Sequence, residues 1–324
     1  MRFFSFTLLV VSALTGAACS GSRHEASEKY YLVSTNTKLP YWQAASSGLA
    51  KAGAQLGVVV ETVGPDTYDP QAEKQAFTDA LAKKPAGILV SAADPAILKL
   101  AIDEAVAQKV PVITMDADAP DSKRALFIGT NNYQVGVIGG KLLARLLGGK
   151  GNAVVFTMPG QVNLEQRLQG YKAAAGDGIK FEEVDIKGDP RIAFDTTKEM
   201  LGKKDEKVDA LICLEASACK EVADVVNRNN TKKVVVAMDT DKETLEWIQK
   251  GIIAATIGQK PYTMAFYGLK MLDDLHHYPP PSLDKNFAQD SFAPLPTYVD
   301  TGSTLIDKSN VDEFLRQSQA AKGQ

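Results

Sequence analysis

Residues 112–120 read VITMDADAP, and this stretch decides how the rest of the chain is interpreted. Its first residues form a short β-branched run of the kind that is enriched in strands. The run ends at two carboxylates, Asp116 and Asp118. An α/β sheet usually presents its ligand-binding groups at the carboxyl edge of its strands, but an Asp in a turn also serves its own backbone. Taken alone, the stretch leaves both interpretations open.

The same arrangement recurs because strand-like and helix-like segments alternate from about residue 30 onward. Short apolar segments such as 58–63, 87–90 and 234–238 are separated by amphipathic segments of helical length. This alternation predicts parallel sheets that are covered by helices on both faces and connected by right-handed crossovers. The series restarts after Gly148-Gly149, which favours two Rossmann-like α/β domains over one very wide sheet.

The first 18 residues have the composition of an export signal. One basic residue, Arg2, precedes an apolar segment at 8–14 that is too short to span a bilayer. Small residues then lead to Cys19 in a pattern that resembles the lipobox of bacterial lipoproteins, although Gly16 stands where that pattern prefers a larger apolar residue. We expect a signal peptide at 1–18, lipidation of Cys19 and a tether at 19–29, with ordinary signal cleavage as the alternative. Either way, the protein is expected in the periplasm or anchored to a bacterial membrane.

Composition and motifs exclude several function classes. The formal net charge is −3 and charges of both signs are interleaved, so neither nucleic acid nor an anionic membrane surface is an expected partner. The histidines are His24 in the tether and His276 and His277 at a predicted helix end, which does not suggest a catalytic unit. No P-loop or Gly-rich dinucleotide motif occurs. We therefore expect no cofactor, no metal and no enzymatic activity. We expect Cys213 and Cys219 to be buried free thiols, with a disulfide between them as the alternative that an oxidising compartment would permit.

Polar and aromatic residues follow most of the predicted strands, where they would meet at one crevice. A single such residue is usually a cap or a turn former, but a converging set is costly to bury unless it binds something polar. The candidate ligand-binding residues are Ser34, Tyr41, Trp42, Asp116, Asp118, Asn163, Glu165, Arg167, Asp189, Glu215, Asp239 and Gln259. Carboxylates accept hydrogen bonds from hydroxyls, and aromatic rings cover an apolar sugar face. The set suits a neutral, polyhydroxylated ligand, because its surplus of acids disfavours an anionic one.

Six short motifs together resemble the periplasmic sugar-binding proteins of the ribose-binding family, relatives of the ligand-binding half of LacI-type repressors. They are VSTNTKLPYW, PVITMDADAP, IGTNNYQVG, LEQRLQGY, VVVAMDTD and AATIGQKP, and the similarity runs from about Tyr30 to the C-terminus. The resemblance implies a type I periplasmic binding fold, in which two Rossmann-like lobes are joined by a three-segment hinge and close on a monosaccharide. It also implies that the sugar is passed to a membrane permease.

The resemblance also implies the bounds of the two lobes. The first would comprise residues 30–130 and 260–297, and the second residues 131–259 and 298–324. The chain would then cross between the lobes at Thr130/Asn131, at Gln259/Lys260 and near Thr297/Tyr298.

Site residues carry over by position. The motif that sandwiches the sugar corresponds to Pro40, Tyr41 and Trp42. The two acids at strand ends correspond to Asp116 and Asp239, and the hinge glutamine corresponds to Gln259. The arginine region corresponds to Asn163, Glu165 and Arg167. The chain differs from ribose binders at Leu39, at Ala117 and at Glu215, where the family pattern has Asn, Arg and Asn. A donor is lost and acceptors are gained, which favours another pentose, a hexose or a sugar alcohol.

These features predict a monomeric substrate-binding component of an ABC importer, which works by hinge closure and has a permease and its ATPase subunit as partners. Two alternatives stay open. One is a sensory protein that binds a signal molecule and docks on a receptor. The other is a secreted hydrolase that holds a metal ion between Asp116 and Asp118.

Overall fold

Two six-stranded sheets, each covered by helices, form the framework of the protein. The computed structural model describes residues 24–25, 27–281, 286–287, 290 and 292–320. The strands are β1 (Lys29–Val33), β2 (Val59–Val63), β3 (Gly87–Val90), β4 (Val112–Met115), β5 (Leu126–Gly129), β6 (Gly151–Thr157), β7 (Ile179–Asp185), β8 (Ala210–Cys213), β9 (Val234–Met238), β10 (Ala255–Gly258), β11 (Tyr298–Asp300) and β12 (Thr304–Asp307). The helices are α1 (Pro40–Leu56), α2 (Pro70–Ala82), α3 (Pro95–Ala107), α4 (Asn132–Leu147), α5 (Val162–Ala175), α6 (Pro190–Leu201), α7 (Cys219–Arg228), α8 (Lys242–Gln249), α9 (Pro261–His277) and α10 (Val311–Ala320).

The two sheets have equivalent strand orders and differ in the direction of one edge strand. The first has the strand order β11-β5-β4-β3-β1-β2 and the second β12-β10-β9-β8-β6-β7. All neighbouring strands are parallel except β10 and β12. The central strands β3, β4 and β8 are buried along their whole length, as expected for parallel sheets with both faces covered. We call the first sheet with its helices the first lobe, and the second sheet with its helices the second lobe.

Three helices begin at an Asp-Pro dipeptide. Asp69, Asp94 and Asp189 are the N-cap residues of α2, α3 and α6, and each carboxylate accepts hydrogen bonds from backbone N–H groups of the first turn. Proline follows at the first helical position, where an N–H group would have no partner within the helix. The dipeptide therefore sets where these helices begin, and with them where the preceding loops end.

The chain crosses between the two sheets three times. The first crossing lies between β5 and α4, and the second between β10 and α9, which packs against α1. The third lies between β11, which pairs with β5, and β12, which pairs with β10. The expected crossing at Thr297/Tyr298 is therefore a few residues too early, because Tyr298–Asp300 extends the first sheet. At the hinge, the backbone N–H of Thr301 donates to the carbonyl oxygen of Gly129 at 2.8 Å.

The expected tether is folded at its carboxyl end. Lys29 is the first residue of β1, and the side chains of His24 and Glu28 contact residues of α9. The expected signal peptide and Cys19 lie outside the described residues. Cys213 and Cys219 are buried free thiols, as predicted. Among the described residues, no helix has the length and apolar character to cross a membrane.

Helices α4 and α5 cross at glycines, and this contact positions the functional residues of α5. A Cβ atom added at Gly136 of α4 would lie 2.0 Å from the carbonyl oxygen of Arg167, and one added at Gly170 of α5 would lie 2.2 Å from the carbonyl oxygen of Tyr133. The backbones are therefore in direct contact, and no side chain fits between them. Any increase in size there must move α5 away from α4.

We predict that Gly136→Ala lowers the free energy of unfolding by about 1–3 kcal/mol, because the added methyl group overpacks this crossing. Urea unfolding followed by circular dichroism measures the change. Gly202→Ala, directly after α6, is the control. Its φ of −81° is one that alanine adopts readily, and the atom nearest to an added Cβ would lie 3.2 Å away. Equal stability of Gly136→Ala and the wild type would contradict the close crossing.

Candidate ligand-binding cleft

A cavity lies between the two sheets, at the carboxyl ends of their strands. The first lobe lines it from the loop after β1, the start of α1 and the end of β4, and the second lobe from the loop after β6, from α5 and from the ends of β8, β9 and β10. Eight of the candidate residues line this cavity, namely Tyr41, Trp42, Asp116, Asn163, Arg167, Glu215, Asp239 and Gln259. The cleft is thus made by side chains from six or more separate segments, which the parallel topology brings to one place.

The two strand-end aspartates occupy equivalent positions in the two lobes. Asp116 follows β4 and Asp239 follows β9, both with φ of 68°. The backbone N–H of Asp116 donates to Ile128 at 3.1 Å, and that of Asp239 donates to Ile257 at 3.0 Å. Left-handed backbone at Asp is unusual enough to require support from its surroundings. The conformation turns both chains out of the sheet edge, and both carboxylates line the cavity.

Arg167 connects the parts of the second lobe that line the cleft. It is 1% exposed. Its Nε donates to Asn132 Oδ1 at 2.8 Å, its Nη1 to the carbonyl oxygen of Leu214 at 2.5 Å and its Nη2 to Gln259 Oε1 at 3.0 Å. Gln259 Nε2 in turn donates to Asp239 Oδ1 at 3.1 Å. A guanidinium has five N–H groups, so two have no partner among the described residues and are available to a ligand.

Two aromatic residues at the start of α1 form the first-lobe wall. The hydroxyl of Tyr41 donates to Asp116 Oδ1 at 2.6 Å. Its ring packs edge-on against Trp42, with ring centroids 5.2 Å apart. Pro40 begins the helix and directs both rings inward, where they are buried against the first-lobe core. The pair therefore serves as core and as cavity wall at once.

Glu215, at the end of β8, is already well supplied with donors. Its carboxylate accepts from the backbone N–H of Ser217 at 2.8 Å, from the Ser217 hydroxyl at 2.9 Å and from the backbone N–H of Ala218 at 2.8 Å. These bonds hold the turn between β8 and α7. Glu215 thus lines the cavity with part of its accepting capacity occupied by its own loop.

Burial of the carboxylates determines the electrostatics of the cleft. Burial raises the pKa of Asp239 to about 7, against a partial opposing effect of Arg167 and with a further rise from Asp116. Burial likewise raises the pKa values of Asp116 and Glu215, and Arg167 lowers both. Among the described residues that line the cleft, one cation faces three carboxylates, so acceptors and negative charge outnumber donors and positive charge. A ligand rich in hydroxyl donors would relieve this imbalance.

Four candidate residues lie outside the cavity lining, each for a local reason. The carboxylate of Asp118 forms a bidentate ion pair with Arg124, with N–O distances of 2.5 and 2.6 Å. Glu165 is exposed and accepts from the backbone N–H of Gly160. Asp189 is the N-cap of α6 and pairs with exposed Arg191. Ser34 is buried, and its hydroxyl points to the carbonyl oxygen of Val63 at 3.5 Å. Because Arg124 occupies both oxygens of Asp118, the pair Asp116/Asp118 is not arranged to share a metal ion.

Several lining residues were not among the sequence-based candidates. They are Thr35, Asn36, Leu39, Tyr68, Met158, Gln161, Leu164, Gly188, Ala216 and Ser217. Tyr68 belongs to the loop between β2 and α2, and no strand-end pattern marks it. The motif M-D-x-D occurs twice, at residues 115–118 and 238–241. It indicates that Asp116 and Asp239 are equivalent residues of the two lobes, and it distinguishes them from Asp118 and Asp241.

Tyr68 shows that the lobes are closed on each other. Its ring packs against the second-lobe core, and a Cβ atom added at Gly188 would lie 2.5 Å from Tyr68 Cβ. Only glycine fits at position 188, because a side chain there would overlap Tyr68 and because φ of 73° favours glycine.

Comparisons with known proteins agree with this geometry. Residues 30–276 match the model of the periplasmic binding protein domain. The D-allose-binding periplasmic protein of Escherichia coli (strain K12) is 26% identical over 289 residues, which are 85% of this chain and 90% of that protein. A sugar-binding protein of a sugar ABC transporter from Bacillus halodurans has 33% identity and a TM-score of 0.77, covering 89% of this chain and 100% of that one. The arabinose-binding protein AraP from Geobacillus stearothermophilus has 32% identity and a TM-score of 0.73, covering 89% and 99%. The two-lobed α/β fold expected from the sequence is confirmed.

The raised pKa of Asp239 predicts a pH-dependent stability of the ligand-free protein. Between its ordinary value of 3.8 and about 7, the folded state holds a proton on Asp239 that the unfolded state has released. The contribution of Asp239 to the free energy of unfolding therefore decreases as pH rises from about 4 to about 7. We expect Asp239→Asn to become progressively more stable than the wild type over this range, as measured by urea unfolding at a series of pH values. A stability difference that does not vary with pH would contradict the burial of this carboxyl group.

Proposed function

The chain belongs to the periplasmic binding protein family, and we propose that it is the substrate-binding component of an ABC importer that captures one neutral monosaccharide or sugar alcohol. The family is non-enzymatic, which confirms that the chain is not an enzyme and sets aside the metal-dependent hydrolase. The observation that carries the proposal is the composition of the cleft, in which Asp116 of one lobe and Arg167 with Asp239 of the other line one cavity.

The chemistry of the cleft favours a neutral ligand with many hydroxyl groups. Three carboxylates offer acceptors, with Asp239 buried and Asp116 and Glu215 half-buried. The two remaining N–H groups of Arg167 offer donors, and the amides of Asn163 and Gln259 lie beside them. A hydroxyl group both donates and accepts, so each can pair with either kind of partner. A sugar phosphate or sugar acid would bring further negative charge next to three carboxylates, which buried sites tolerate poorly.

The small size of the cavity favours a single sugar unit over an oligosaccharide, since its volume is about 80 Å³. Trp42 and Tyr41 supply the aromatic surface on which the apolar face of a sugar ring can rest.

The relatives support the same ligand class without selecting one sugar. One is named for D-allose and one for arabinose, a hexose and a pentose. Leu39 and Glu215 line the cavity at positions where the ribose-binding pattern has Asn. An apolar side chain and an extra acceptor therefore favour a sugar other than ribose, with more donating hydroxyls near β8.

Hinge closure is the proposed mechanism. Ligand groups that contact Asp116 and Arg167 at the same time do so only when the lobes are closed, so the ligand shifts the population to the closed form. The closed contact of Tyr68 with Gly188 then shields the ligand from solvent. The three crossings at the hinge connect the lobes while allowing this rotation.

Sugar binding tests the proposal directly. We expect isothermal titration calorimetry with a panel of pentoses, hexoses and alditols to identify at least one ligand. Asp116→Asn is expected to weaken its binding by about ten- to a hundredfold, because a charge-assisted hydrogen bond contributes about 1.5–3 kcal/mol. Glu165→Gln on exposed α5 surface is the control and should change the affinity little. No binding across the panel, or equal loss in both variants, would contradict the proposal.

Export and anchoring form a second part of the proposal. Family membership implies an exported, periplasmic protein, and we propose that residues 1–18 are removed and Cys19 is acylated. The tether then leads to His24, where the described chain begins. The permease and its ATPase subunit would receive the sugar at the membrane to which the binding protein is anchored.

Replacing Cys19 tests the anchor. In a bacterial expression host we expect wild-type protein in the membrane fraction and Cys19→Ser in the soluble periplasmic fraction, because the serine cannot form a thioether with the lipid. Immunoblots of the fractions measure this, and mass spectrometry of the mature N-terminus identifies the modification. Cys213→Ser serves as the control, since that thiol is buried in the second lobe. Equal partition of wild type and Cys19→Ser would contradict lipidation.

A further inference from the structure

A second cluster of titratable side chains lies far from the cleft in the first lobe. His24 precedes β1, and Asp273 and His277 are four residues apart at the carboxyl end of α9. His24 Nε2 lies 2.8 Å from Asp273 Oδ2, and His277 Nε2 lies 3.6 Å from Asp273 Oδ1. One ligand atom from each of the three residues lies within 4.8 Å of the other two. The cluster sits at the amino end of β1, whereas the cleft lies at the carboxyl ends of the strands.

The surroundings of the cluster orient its carboxylate. Asp273 is 7% exposed, and its Oδ1 accepts a hydrogen bond from the hydroxyl of buried Tyr30 at 3.1 Å. His277 Nε2 also lies 3.2 Å from Glu28 Oε2. A carboxylate held by a hydrogen bond from a neighbouring residue is the arrangement found around metal ligands. Two of the ligands share one helix face through their four-residue spacing.

We propose that His24, Asp273 and His277 bind a divalent zinc ion. Two imidazoles and a carboxylate are the donors that zinc prefers, at about 2.0–2.2 Å from the ion. Such bond lengths place the ligand atoms of a tetrahedral site roughly 3.3 Å apart, so side-chain movements of about 1 Å bring the three atoms into place. Solvent or Glu28 would complete the coordination.

The carboxylates of Asp273 and Glu28, which both lie within 3.6 Å of an imidazole nitrogen of the cluster, also match the double positive charge of the ion. The ion would attach the segment before β1 to the end of α9. The tether would then leave the first lobe from a fixed point and in a fixed direction. This would limit the orientations that the lobes can take relative to the membrane and to a partner there.

Zinc binding to the exported chain, purified without a polyhistidine tag and stripped with chelator, tests this inference. Competition with a chromogenic zinc chelator measures stoichiometry and affinity. We expect one zinc ion per chain, with an affinity in the micromolar range or tighter, and a loss of at least about tenfold in His24→Gln and in His277→Gln. His276→Gln is the matched control, because it replaces an exposed histidine at the next position.

Two further measurements keep the outcomes separate. Circular dichroism of each variant in chelator checks that the fold is intact, and His24 lies outside the core clusters, so its replacement leaves the lobe in place. Sugar affinity should not change in any of these variants, which separates this site from the cleft. The inference is overturned if the wild type takes up no zinc at concentrations well above micromolar, or if His276→Gln loses as much affinity as His277→Gln.

Discussion

The buried guanidinium of Arg167 is the interaction on which the cleft depends. Among the described residues that line the cleft it is the one cation, beside the carboxylates of Asp116, Glu215 and Asp239. It lowers the pKa of each of these carboxyl groups, whereas burial raises it. Its hydrogen bonds to Asn132, to the carbonyl group of Leu214 and to Gln259 join α4, the end of β8 and the hinge end of β10. A buried charge of this kind is tolerable only with several partners. The same bonds that satisfy the arginine therefore position the residues that a ligand would meet.

The backbone topology explains why these residues meet. The sheets have identical strand orders, so β4 in one lobe and β9 in the other are equivalent strands, and each ends in an aspartate with φ of 68°. Parallel strands present their carboxyl ends at one edge, and the two edges face each other across the hinge. The close crossing of α4 and α5 at Gly136 and Gly170 then sets the distance at which Arg167 enters the space between them.

Much of this could be predicted from the sequence, because the alternation of apolar strands and amphipathic helices carries the fold and strand ends mark the cleft. The strand-end rule could not separate Asp116 from Asp118, since only the folded chain brings Arg124 to the latter. The Asp-Pro dipeptide at Asp189 indicates the start of a helix, but its position after a predicted strand also fits the pattern of a ligand-binding residue. The structure shows that the helix start is the correct interpretation. Tyr68 lies in a loop and reaches the cleft only through tertiary contacts. His24 likewise reaches Asp273, 249 residues away in sequence, only in the folded chain.

We propose that one sugar molecule contacts Asp116 and Arg167 at the same time and so holds both lobes together. The distance between two fluorescent labels tests this directly. The labels are attached to cysteines that replace exposed Gln71 of α2 and exposed Lys198 of α6. The chain also carries Cys19→Ser, and Cys213 and Cys219 are buried, so the dyes react at the two new positions. We expect energy transfer between the labels to rise with added sugar and to saturate together with binding, and we expect no rise in Arg167→Met. An unchanged label distance at saturating sugar would contradict this proposal.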